Sequence, residues 1–195
     1  IAKEGRPGPV LIDIPKDVTA KMADYEYKTP VVPEVNKNID SNEIAEAIDM
    51  IKKARKPFVF VGGGSIISGA SAEIAEFVEK VDAPVCDTLM GKGAFDGTSE
   101  RYTGMLGMHG TKTSNFGVME CDLLIVLGAR FSDRVTGDTS KFASNARILQ
   151  IDIDPAEINK NIKVDMSIVG DIKVVLEAIN ASLDKENHKE WMDHI

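Results

Sequence analysis

Cys121-Asp-Leu-Leu-Ile-Val-Leu-Gly-Ala-Arg-Phe-Ser-Asp-Arg-Val-Thr-Gly137 is the stretch from which the rest of the chain is read. Leu123 to Leu127 are five large aliphatics in a row. They are too few for a free-standing helix and lack polar alternation, so they predict a strand covered on both faces, as in a parallel sheet. Gly128 and Ala129 then let the backbone turn tightly. Arg130, Asp133 and Arg134 follow at the strand's carboxyl end, where open α/β sheets bind ligands. Two guanidiniums and a carboxylate there suit a phosphate or carboxylate ligand. A solvated loop with a surface salt bridge fits the same residues.

Downstream, Ile148 to Ile153 predicts the next strand, and Asp154-Pro155-Ala156-Glu157 carries an N-cap, a first-turn proline and a capping glutamate that predict a helix start. Val164 to Val169 gives one more short strand. Gly170-Asp171 caps a last helix with Val175, Ile179 and Leu183 inward, and the polar residues 186–195 are expected to form a ragged tail. Upstream, Asp40 and Glu43 open a helix whose Ile44, Ala47, Ile48 and Ile51 recur at helical spacing. Phe58 to Val61 is a buried strand running into Gly62-Gly-Gly64. A helix with Ile74, Phe77, Val78 and Val81 on one face leads to the strand Pro84 to Asp87. Two glycine-rich loops follow, Thr88 to Phe95 and Gly104 to Gly110, around a weak strand at Tyr102, and a short helix from Thr111 to Glu120 closes the circuit.

Strands alternating with helices in this way define an α/β fold, a three-layer open parallel sheet with helices on both faces. Right-handed crossovers bring every strand-to-helix loop to one edge, and the glycines fall there. Before this unit, Val10 to Ile14 predicts a short strand boxed by prolines, and residues 19–38, with Pro30 and Pro33, predict an extended linker.

A chain of 195 residues with a net charge of −8 and no basic run argues against nucleic acid or an anionic membrane as partner. Cys86 and Cys121 are expected as buried free thiols in a reducing compartment, the cytoplasm. No apolar run is long enough to span a membrane, and Ile1-Ala-Lys-Glu-Gly is neither a signal peptide nor an initiator methionine, so the chain reads as a piece of a longer protein. The amides of Gly62-Gly-Gly64 could cradle a phosphate, although Ile67 stands where a dinucleotide fingerprint has its third glycine. Glycines that merely turn the chain are the alternative. His109, His188 and His194 with two cysteines give no metal set, and Asp152 with Asp154 gives no acid-base pair, Asp154 being spent as a cap.

Five motifs carry a resemblance. Gly-Arg-Pro-Gly-Pro-Val-Leu-Ile-Asp-Ile-Pro-Lys-Asp-Val at 5–18, Val-Gly-Gly-Gly at 61–64, Thr-Leu-Met-Gly-Lys-Gly-Ala-Phe at 88–95, Gly-Met-Leu-Gly-Met-His-Gly at 104–110 and Gly-Ala-Arg-Phe-Ser-Asp-Arg-Val-Thr-Gly at 128–137 resemble, in that order, the acetolactate synthase large-subunit family. The resemblance implies the central domain of a thiamine-diphosphate enzyme, a sheet of about six parallel strands that holds FAD. It implies a parent that condenses two 2-oxo acids, pyruvate with pyruvate or 2-oxobutanoate, with loss of CO2 in branched-chain amino-acid biosynthesis. Thiamine diphosphate and Mg2+ are then bound by other domains, and the parent is a homo-oligomer with a small regulatory subunit.

Carried over position by position, the implied flavin residues are Arg6, Gly62, Gly63, Gly64, Thr88, Leu89, Met90, Met108, His109, Gly128, Ala129, Arg130, Val135, Asp152, Ile153 and Asp171. Lys16, Met108, Asp133 and Arg134 resemble residues at the mouth of the substrate channel. Ser132 stands where many members have aspartate. The implied organisation is a terminal strand of a preceding domain at 1–18, a linker at 19–38, the flavin domain at 39–185 and a tail at 186–195. The family's activating glutamate and its Gly-Asp-Gly diphosphate motif are absent from the chain, so no catalytic residue is expected here. A nucleotide-binding or interface module of a related thiamine enzyme without flavin is the competing reading.

Overall fold

A computed structural model describes residues 1–31 and 38–195, and the chain divides into two units at 35/36. The first unit holds one short helix, α1 (Lys16–Thr19). Val10 to Ile14 form no strand, and Leu11 and Ile12 are exposed. The expected strand is corrected for a physical reason: a strand exists only through a ladder, and the flanking prolines at 9 and 15 offer no donor to one. Of the expected linker, residues 21–31 form neither helix nor strand, while 32–37, with Pro33, lie outside the described residues.

The second unit runs α2 (Ser41–Lys52), β1 (Pro57–Val61), α3 (Gly63–Ile67), α4 (Ser71–Val81), β2 (Val85–Asp87), β3 (Tyr102–Met105), α5 (Lys112–Glu120), β4 (Leu123–Leu127), α6 (Asp133–Thr136), β5 (Arg147–Asp152), β6 (Met166–Val169), α7 (Ile172–Ser182) and α8 (Lys189–His194). All six strands are parallel, in the order β3-β2-β1-β4-β5-β6. The expected α/β sheet is thus present. Pro57 lies opposite Leu123 and Val61 opposite Leu127, so β1 and β4 end together. The chain winds outward from this pair in both directions, which makes the gap beyond Val61 and Leu127 the topological switch point.

Alternation sorts the strand residues into two cores. Val59, Val61, Ile125, Leu127, Leu149 and Ile151 pack with Ile51 of α2, Phe77 of α4 and Ile179 of α7. Phe58, Phe60, Leu124, Val126 and Ile148 face the other way, toward Val118 and Cys121 at α5 and Trp191 of α8. Both faces of β1 and β4 are covered, as the unbroken aliphatic runs require, and each such side chain contributes about 1.5–3 kcal/mol by burial. Both thiols are free and buried; burial pushes the Cys121 thiol up to about 12, and burial likewise raises that of Cys86.

Two further expectations are corrected. The capped helix at Asp154 is only a single 3-10 turn, Pro155–Glu157. Asp154 does cap it, accepting from the Ala156 amide, but Asn159 enters the left-handed region at φ 58° and its side chain accepts from the Val164 amide, which turns the chain away. The tail is not ragged either: Trp191 is buried and its indole donates to the Pro57 carbonyl at 2.9 Å, so α8 closes the amino edge of the sheet. There the His188 ring nitrogens lie 2.7 Å from the Val81 carbonyl and 3.1 Å from that of Ala54.

Candidate functional site

The carboxyl edge of the sheet gathers the loops that carry the expected flavin residues of the second unit. Gly62, Gly64 and Gly128 bring the β1 and β4 turns into backbone contact: a Cβ on Gly62 would lie 2.3 Å from the Gly128 carbonyl oxygen, and one on Gly64 2.8 Å from its Cα. These glycines are therefore required by the fold itself. The Gly62, Gly64 and Ser65 amides donate to the carbonyls of Leu127, Gly128 and Gly62. Of the three amides expected to cradle a phosphate, those of Gly62 and Gly64 thus already spend their hydrogens on backbone carbonyls.

The neighbouring loops lean on this junction. A Cβ on Gly63 would meet Met90 at 3.1 Å, and the Thr88 amide donates to the Val61 carbonyl, so the Thr88–Met90 turn sits against the β1 turn. Thr88 caps that turn through a 3.0 Å bond from the Gly91 amide. On the far side the Met108 amide donates to the Arg134 carbonyl at 2.9 Å, and Gly107, at φ +98°, packs against Val135. The structure thus joins Met108 to the first turn of α6, with His109 next to it in the chain. Asp171 caps α7 and its carboxylate accepts from Ser68, just past α3. The Asp152 carboxylate accepts from the Asp154 amide and its carbonyl from the Gly170 amide, so β5 and β6 also end at this rim. Arg6 and Lys16 belong to the first unit.

What the rim presents outward decides its chemistry. Leu89, Met90 and Met108 are exposed by 70%, 74% and 70%, and Ile67 by 72%. Arg130 is exposed and its guanidinium makes no hydrogen bond or ion pair with any described residue, while Arg134 keeps a loose 3.9 Å contact with Asp133. Ala129 and Phe131 on either side of Arg130 are buried, so its backbone is held while its guanidinium is available to an oxyanion. An exposed apolar rim with one available guanidinium can take a ligand with a flat ring system and an anionic arm. FAD has that chemistry, and the residues present fit it.

One cluster was not foreseen. Asp87, the buried last residue of β2, accepts a 2.7 Å bond from the Tyr102 hydroxyl and lies 3.6 Å from the Lys92 ammonium, which in turn stands 3.1 Å from the Tyr102 oxygen. The Tyr102 hydrogen bond, together with the Asp87 charge, holds the Lys92 amine above its usual value, and burial raises the Tyr102 phenol. Nothing in sequence spacing announces it, since Tyr102 meets the other two only through β2–β3 pairing. A cluster at the opposite edge, around an open groove of 810 Å³ that includes Glu79, Asp82, Arg101 and Lys189, is internally paired, Arg101 reaching Glu79 and Asp82.

Comparison with known proteins bears on the same residues. Residues 44–179 match the family described as thiamine pyrophosphate enzyme, central domain. The whole chain is 45% identical to a probable acetolactate synthase large subunit of Methanococcus aeolicus, covering 36% of that protein. It is 47% identical over its whole length to the corresponding protein of Methanocaldococcus jannaschii, covering 34% of it. Ninety per cent of it is 49% identical to an acetolactate synthase of Arthrospira platensis, covering 32%. The chain spans about a third of the length of these relatives. Among the described residues no helix is long and apolar enough to cross a membrane.

Proposed function

The chain belongs to the family of thiamine pyrophosphate enzyme central domains, and from that premise we propose that it is the flavin-binding domain of an acetolactate synthase large subunit. In this reading the whole protein is a cytoplasmic transferase that condenses pyruvate with pyruvate or 2-oxobutanoate, releasing CO2, in branched-chain amino-acid biosynthesis. Its thiamine diphosphate and Mg2+ are held by other domains, and it assembles as a homo-oligomer with a small regulatory subunit. FAD, when bound, supplies an ordered scaffold at the carboxyl edge and no net redox change.

The observation that supports this reading best is the Arg130 guanidinium, fixed at its root by β4, exposed, and bordered by a rim on which Leu89, Met90 and Met108 are also exposed. Arg130 would fork onto diphosphate or ribityl oxygens, and Leu89, Met90 and Met108 would pack on the rings. The engaged amides of the β1 turn favour the second reading, an interface module without flavin.

FAD titrated into the purified chain separates the two. Flavin absorbance that co-elutes with the protein is expected; its complete loss on gel filtration leaves the interface module. With thiamine diphosphate, Mg2+ and FAD added, the chain is expected to make no acetolactate from pyruvate, and turnover above a protein-free blank would overturn the assignment of catalysis to other domains.

A further inference from the structure

Asp87 is 3% exposed and lies, by alternation along β2, on the same side as Val85 in an apolar core. Its Oδ2 is satisfied by Tyr102, but its Oδ1 is buried and has only the Lys92 ammonium, 3.6 Å away and beyond hydrogen-bond reach. Asp87 and Lys92 stand at the two ends of one turn, Thr88 to Gly91, and Tyr102 of β3 ties them together. The tip of that turn is the opposite of its root, since Leu89 and Met90 are among the most exposed apolar side chains of the second unit.

Only Asp87 of this pair is buried, the Lys92 side chain being 50% exposed, so the pair is poor evidence for stability: apolar residues in place of a buried charge and its partner are often neutral or stabilising. What the pair does supply is geometry. The Asp87 Oδ1 meets a cation only when Lys92 folds back over Tyr102, which restricts the course of the chain between them. We propose that Asp87, Tyr102 and Lys92 are positioning residues that hold the Thr88–Met90 turn in a single geometry, the one in which Leu89 and Met90 are presented to the flavin. The last clause rests on the flavin reading above; the clip itself does not.

The experiment compares the chain with the apolar triple variant Asp87→Val, Tyr102→Phe, Lys92→Met and with the single variant Lys92→Arg. Three readouts are taken: thermal unfolding, hydrogen exchange of the 88–92 amides without FAD, and FAD titration. For the triple variant we expect an unchanged or higher Tm, exchange in the turn faster by about tenfold, and FAD affinity weaker by about tenfold. Lys92→Arg should keep both near the parent values, since the guanidinium still reaches Asp87 and Tyr102. Unchanged exchange in the turn, or a fall in Tm with faster exchange across the whole sheet, would overturn the clip. A parent chain that takes up no FAD would overturn the flavin reading instead, and the exchange arm would still decide the clip.

Discussion

At the amino edge of the sheet the Asp122 carboxylate accepts from the Arg55 and Lys56 amides, the Trp191 indole donates to the Pro57 carbonyl, and Arg101 is locked between Glu79 and Asp82. At the carboxyl edge, the Arg130 guanidinium has no partner among the described residues, and Met90 and Met108 stand in solvent. Both edges belong to the same six strands, so the difference is one of purpose. One edge spends its polar groups on closing the core; the other keeps a cation and apolar surface available. Stability and ligand binding should therefore separate cleanly by edge.

Removing Trp191 tests that separation most severely. Trp191→Ala deletes a 3% exposed indole and strands the Pro57 carbonyl. A loss of about 3–5 kcal/mol follows from cavity formation. For a domain of this size that corresponds to a fall of roughly 10 °C in Tm. FAD affinity measured well below the transition should stay within twofold of the parent. A large affinity loss in the still-folded variant would erase the distinction between the edges.

Arg130→Ala is the converse. It removes a charged partner worth about 1.5–3 kcal/mol, or roughly ten- to hundredfold in FAD affinity, and leaves Tm nearly unchanged because an exposed side chain buries little. Arg134→Ala, in the short helix α6 that Met108 bonds to, should move substrate or inhibitor affinity of the whole enzyme more than FAD affinity. FAD titrations of the two variants side by side check this: an equal or larger loss for Arg134 would exchange their roles.

The centre of this fold was legible because it is built from local signals. Leu123 to Leu127 and Phe58 to Val61 are apolar without a break, and only a strand buried on both faces needs that. The glycine loops were legible as turns, but their partner was not: only the parallel pairing of β1 with β4 shows that Gly62 and Gly64 press on Gly128. The docking of the tail is hidden in the sequence because its polarity is an average. One tryptophan among charged residues suffices to dock α8 when a backbone carbonyl waits for it. At Asp154 the opposite holds: a sound cap cannot extend a helix past Asn159 in the left-handed region. The Asp87, Tyr102 and Lys92 cluster had no sequence signature, since its members meet across a strand pair and around a turn.

The smallest of these effects probes the amino edge alone, through Asp82. This residue ends α4 in the left-handed region at φ 54°, accepts from the His188 amide at 2.6 Å and pairs with Arg101 at 2.7 Å. Burial by itself would raise its carboxyl, but the His188 amide and the Arg101 guanidinium outweigh it, so the group is held below the usual carboxylate value. A depressed value means the folded state releases this proton more readily than the unfolded chain. The resulting stability is fully present above the unfolded value of about 3.9 and is lost as pH falls through the lower folded one. Asp82→Asn is the informative change, because asparagine tolerates the left-handed backbone and one amide oxygen can still accept from one of the two donors. Arg101 keeps Glu79 at 3.2 Å as a second partner, so the loss at neutral pH should be only about 1 kcal/mol. Urea unfolding from pH 7 down to about 3 should show parent and variant converging as the acid limb is reached. Curves that stay parallel would mean that the Asp82 charge contributes nothing beyond its hydrogen bond, and that the amino edge is closed by Trp191 and His188 without it.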